Sequence, residues 1–80
     1  MPSSVEERTR QLVAEVFGVP LAAVTRETSH ETIEGWDSLN VLNVLMAVEG
    51  EFGVTVSPEE VASFMSVERI LVVLESKGVR

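Results

Sequence analysis

Glycine, tryptophan, aspartate and serine stand in series at Gly35-Trp36-Asp37-Ser38, and Leu39 opens the most apolar stretch of the chain behind them. A helix beginning here presents unpaired backbone N–H groups and a positive dipole end, so a phosphodiester on the Ser38 hydroxyl would be stabilised where it sits. The same residue types also serve a plainer purpose, because Asp or Ser at a helix start is ordinarily an N-cap. Both readings stay open from the spacing alone. Hydrolytic chemistry has less support: His30 is the single imidazole, and Asp37 and Ser38 are neighbours that cannot easily flank it in a relay. His30 reads as a loop residue facing water. No histidine pair has metal spacing, the acids form no calcium loop, and the glycines form no phosphate-binding run. No catalytic residue and no metal ligand is expected, and the chain is not expected to be an enzyme.

The elements that must position this segment follow from apolar spacing. Ser4 and Glu7 have the form of a capping box, and Leu12, Val13, Val16 and Phe17 recur at helical spacing, which predicts a helix over about 4–17, ended by Gly18. Gly18, Pro20, Thr25, Thr28, Ser29 and Gly35 then punctuate a long loop reaching Asp37, with at most one helical turn around Pro20 to Val24. Leu21, Val24, Ile33 and Trp36 are expected to pin it to the core. From Ser38 to Phe52, Val41, Val44, Leu45, Val48 and Phe52 share one face and Leu39, Leu42 and Met46 form an adjacent row, which predicts a central helix buried on a wide face. Gly53 ends it, and Val54 to Val56 is an extended link with no strand partner. Ser57-Pro58-Glu59-Glu60 starts a short helix over about 58–64. Ser66 caps a fourth helix whose Val67, Ile70, Leu71 and Leu74 face inward, with Lys77 near its carbonyl end and Gly78 as a stop. The predicted fold is all-α: a four-helix bundle of three longer helices and a short third, with a long loop between the first two.

Eighty residues allow one domain, 1–80, and a core too small for a deep strained cleft, which favours a binding or carrying module. With 45% apolar residues the chain is expected to fold, yet no apolar run approaches the ~20 residues that a bilayer demands. Thirteen acids against six bases give a net charge of −7, which repels nucleic acid and anionic membranes. Nine of the acids lie between Glu27 and Glu68 with no Lys or Arg among them, so a partner reading the middle of the molecule should bring basic residues. The absence of cysteine removes disulfides and thiol nucleophiles, and MPSSVEERTR has no apolar secretion core. A cytoplasmic monomer is expected.

Asp37-Ser38-Leu39 at the head of an apolar helix, midway along the chain, with Glu49-Gly50-Glu51-Phe52-Gly53-Val54 closing that helix and Pro58-Glu59-Glu60 following, resembles the acyl carrier proteins. The resemblance covers essentially the whole chain. It implies that Ser38 receives a 4'-phosphopantetheine arm from coenzyme A through a phosphopantetheinyl transferase. The arm would hold acyl groups as thioesters for a ligase, ketosynthase or acyltransferase with a basic docking surface. Asp37 matches the acid the transferase needs beside the serine, where it should meet a magnesium ion or an Arg, and Trp36 and Leu39 flank the attachment point. Glu49 and Glu51 match acids that partners read, with Glu59 and Glu60 on the next helix as further contacts. Asn40 and Asn43 stand where fatty-acid carriers usually have acids, which implies a narrower set of partners. Gly35-Trp36 departs from the Gly-Gly-His or Gly-Gly-Asp of peptidyl carriers and is more similar to stand-alone carriers of polyketide or other specialised pathways. An unmodified acidic adaptor that binds a basic partner is the alternative from another class, and a peptidyl carrier is a second alternative.

Overall fold

A computed structural model describes residues 4–37 and 39–79. Four α-helices appear in chain order, α1 (Val5–Phe17), α2 (Val41–Phe52), α3 (Pro58–Val61) and α4 (Val67–Ser76), with one 3-10 turn over Leu21–Ala23 in the long loop. The fold is therefore the small all-α bundle that the periodicity predicts.

Each start has a local cause. Ser4 Oγ accepts the Glu7 N–H at 3.0 Å, which is half of the expected capping box, and Glu6 and Glu7 lie in the first turn. At α3 the box is complete: Ser57 Oγ accepts from Glu60 N and Glu60 Oε1 accepts from Ser57 N, at 3.3 and 2.9 Å. Ser66 Oγ accepts the Arg69 N–H at 3.1 Å to open α4. Gly18 and Gly53 end α1 and α2 at φ of 66° and 65°, left-handed conformations that side-chain-bearing residues resist.

The core lies where α1, α2 and α4 meet. Val13, Val44, Val48, Ile70 and Leu74 are fully buried there, together with Val24 from the loop and Phe64 from the segment before α4. The loop is pinned as expected through Val24, Ile33 and Trp36, but Leu21 is 41% exposed because the 3-10 turn holds it outside. The loop also gains backbone partners: Val67 N–H donates to Thr28 O and His30 N–H to Met65 O, both at 2.9 Å, an isolated antiparallel bridge centred on Ser29 and Ser66.

Two boundaries and two faces differ from the periodicity. α2 begins at Val41 rather than at Ser38, after a turn at Leu39 and Asn40. α3 stops at Val61, after which Ser63 N–H bonds Glu60 O and Phe64 N–H bonds Val61 O, a tightening that turns Phe64 into the core. On α4, Val73 is buried and Leu71 only partly so. The row Leu39, Leu42 and Met46, expected inside, lies outside: these side chains are 73%, 48% and 69% exposed. One face of α2 suffices to fill so small a core, and Val41, Val44 and Val48 already occupy it.

Candidate functional site

The head of α2 is built by two side chains. Asp37 Oδ1 accepts the N–H groups of both Leu39 and Asn40, at 3.0 and 2.9 Å, and the Asp37 carbonyl accepts from Val41 N at 2.9 Å. Asn40 Nδ2 donates back to Gly35 O at 2.7 Å, and Asn43 Nδ2 donates to Asn40 Oδ1 at 3.2 Å. Gly35 turns at φ of 92°, a conformation costly for any residue with a Cβ, and this turn delivers Asp37 to its capping position.

This arrangement revises the expected electrostatics. Unpaired N–H groups were to stabilise an anion at the helix opening, but Asp37 already occupies the donors of Leu39 and Asn40. An anion on the neighbouring residue gains nothing from them and lies beside a like charge. The cap reading thus describes Asp37. At the other three helix starts a serine hydroxyl accepts the capping N–H, whereas Asn40 at the N-cap of α2 makes no such bond and the Asp37 carboxylate instead closes the turn that leads into the helix. Ser38 itself lies outside the described residues.

Trp36 was expected both to pin the loop to the core and to flank the attachment point, and the structure shows the first of these roles. It is 3% exposed, its indole Nε1–H donates to Phe64 O at 2.8 Å, and its ring meets Phe17 with centroids 5.2 Å apart. It anchors the loop in the core and leaves Asp37 and Leu39 in solvent.

The expected partner-facing acids turn out to have internal partners. Glu49 Oε2 accepts the Val56 N–H at 2.9 Å and so ties the extended link to the end of α2. Glu51 Oε2 pairs with Arg8 at 2.6 Å, and the Arg8 guanidinium lies 4.8 Å over the Phe52 ring, joining α1 to the last turn of α2. Glu60 pairs with Lys77 at 2.9 Å in addition to its capping bond, and the Lys77 ammonium, followed by the Ser57 N–H, holds its carboxyl below the ordinary value of 4.5. Glu59 is exposed and makes no ion pair among the described residues. Asn40 and Asn43, also expected at a partner surface, form the hydrogen-bonded chain from Gly35, and a carboxylate at position 40 could not donate to that carbonyl.

The exposed apolar row Leu39, Leu42 and Met46 is the part of this surface that the charge pattern did not reveal. Its signal was present as a second apolar row on a helix that needed only one.

Covalent attachment of a prosthetic group at the head of α2 fits this chemistry. Asp37 and Leu39 are open to solvent, and the Asp37 carboxylate holds the turn through the N–H groups of Leu39 and Asn40. Among the described residues no cluster of three or more His, Asp or Glu is placed to hold a metal ion, and no helix is long and apolar enough to cross a membrane. Residues 7–71 match the protein family described as the phosphopantetheine attachment site, a span that takes in α1, the long loop, all of α2 and α3, and half of α4. The chain belongs to that family of helical carrier domains, whose prosthetic group is 4'-phosphopantetheine.

Proposed function

We propose that this protein is an acyl carrier modified at Ser38. The observation that supports the reading is the turn that opens α2: the Asp37 carboxylate accepts the N–H groups of both Leu39 and Asn40 and is itself exposed beside the serine in the chain. When bound, 4'-phosphopantetheine supplies a thiol on which acyl groups are held as thioesters. The chain's own residues position that group and present it. Asp37 fixes the turn and offers a carboxylate to a cation of the transferase, and the Gly35–Asn40 bond holds the turn against the loop. Leu39, Leu42 and Met46 offer acyl-handling enzymes an apolar contact row beside the attachment point.

The amide chain of Asn40 and Asn43 supports a carrier of a specialised pathway, such as polyketide assembly, over a general fatty-acid carrier. Acids at these positions would sacrifice the bonds that close the turn. The chemistry belongs to the partners, and the carrier's contribution is the tether and the contact surface.

The test is conversion by a broad-specificity phosphopantetheinyl transferase with coenzyme A, followed by intact-mass measurement. One arm is expected on the wild-type chain and none on Ser38→Ala. Because the sequence has no cysteine, the converted protein should also titrate one thiol and the unconverted protein none. An arm on Ser38→Ala would overturn the attachment point, and an unmodified wild-type chain would favour the acidic adaptor.

A further inference from the structure

Five bases lie among the described residues, and four of them have visible partners. Arg8 pairs with Glu51, Arg26 with Glu6 and Lys77 with Glu60, while Arg10 Nε donates to Val24 O at 2.8 Å. The Arg69 guanidinium has no acceptor among the described residues. It lines a groove between the loop and the start of α4, with Ser29, His30, Ser63, Met65 and Ser66 as further walls.

The groove is rich in donors. Ser29 Oγ already accepts from Glu31 N and Ser66 Oγ from Arg69 N, both at 3.1 Å, so each hydroxyl has its own hydrogen left to give. Ser63 Oγ has no bond among the described residues. His30 is held in place by its backbone N–H on Met65 O at 2.9 Å, with ring Nδ1 3.3 Å from the same oxygen. Glu31 stands at the rim and forms no ion pair with Arg69. A planar guanidinium flanked by hydroxyl donors matches a carboxylate.

The groove is also bonded to the attachment loop. Ser63 and Met65 flank Phe64, whose carbonyl takes the Trp36 indole N–H, and Trp36 precedes Ser38 by two residues.

We propose that this groove is a carboxylate site and that its occupant is the free carboxylate of an acyl cargo, so that the carrier favours dicarboxylic acyl groups. This inference rests on the carrier reading. The cargo brings its carboxylate by the arm, so encounter is intramolecular, and the effective concentration this provides offsets the repulsion by the protein's net negative charge.

The experiment compares amide NMR spectra of the full chain loaded with succinyl and with butyryl groups, in the wild type and in Arg69→Gln. Shifts at residues 29–31 and 63–69 are expected for succinyl alone, and Arg69→Gln should remove them. A second arm titrates free succinate into the unmodified chain, which needs no modification at Ser38. Saturable shifts in the same residues, lost in Arg69→Gln, support the carboxylate site even if mass measurement shows that no arm was attached. Failure of the carrier reading is thereby separated from failure of this one. Equal spectra for succinyl and butyryl forms would overturn the cargo assignment, and silence in both the loaded and the free-succinate arms would overturn the site itself. Glu31→Gln should strengthen the response by removing the carboxylate at the rim, and a weaker response would count against the site.

Discussion

The indole N–H of Trp36 donates to the carbonyl oxygen of Phe64 at 2.8 Å, a buried bond between residues 28 positions apart. It joins the end of the long loop to the segment between α3 and α4. Trp36→Phe keeps most of the apolar volume but leaves that carbonyl without its donor, which should cost about 1–3 kcal/mol. Chemical denaturation measures the loss. Attachment of the arm at Ser38 should leave Trp36 emission nearly unchanged, since the ring is enclosed by Phe17 and the core. A large spectral change on loading would show that the ring reaches the arm after all.

Asp37 has two separable duties, capping and charge. Asp37→Asn keeps an oxygen for the N–H groups of Leu39 and Asn40, so stability should change little, whereas Asp37→Ala removes the cap at about 0.5–2 kcal/mol. If the carboxylate also meets a cation during loading, both variants should be loaded at least tenfold more slowly. Equal loading rates for wild type and Asp37→Asn would confine Asp37 to capping.

The Glu60–Lys77 pair makes stability depend on acid. The folded carboxyl is held below its ordinary value of 4.5, so its contribution is fully present above that value and is lost as pH falls through the lower folded one. Wild type and Lys77→Met should therefore differ most near neutrality and converge in strong acid. Melting temperatures across that range give the difference curve, and a constant offset at every pH would remove the ionic contribution.

Thr9 is fully buried on α1, and its hydroxyl has no hydrogen-bond partner among the described residues. Thr9→Val preserves shape and deletes the unpaired group, so the variant should be more stable by about 1 kcal/mol. A loss of stability on denaturant titration would reveal a partner for that hydroxyl, such as a buried water.

Much of this molecule was legible because short-range rules govern it. Ser4, Ser57 and Ser66 announce three helix starts, Gly18 and Gly53 announce two ends, and each operates over a few residues regardless of the rest. The start of α2 was harder because Asp37, Ser38 and Asn40 are all competent caps, and the choice depends on a turn at Gly35 that apolar spacing does not describe. Leu39, Leu42 and Met46 were assigned inward because a sequence shows how apolar a helix is, but not how much core is available to receive it. The internal bonds of the acids were hidden for a similar reason. Glu49, Glu51 and Glu60 read in sequence only as partner-facing charge, and their bonds to Val56, Arg8 and Lys77 appear only once the chain has folded.

The short helix α3 has no buried side chain of its own. Glu49 ties the link before it to α2 and Glu60 ties it to α4, while Val56 and Phe64 set it against the core at either end. A segment with so little burial of its own and two carboxylate ties is expected to open locally before the rest of the bundle. Its amides should exchange with solvent well before those of α1, α2 and α4, giving the bundle one wall that yields while the other three stand.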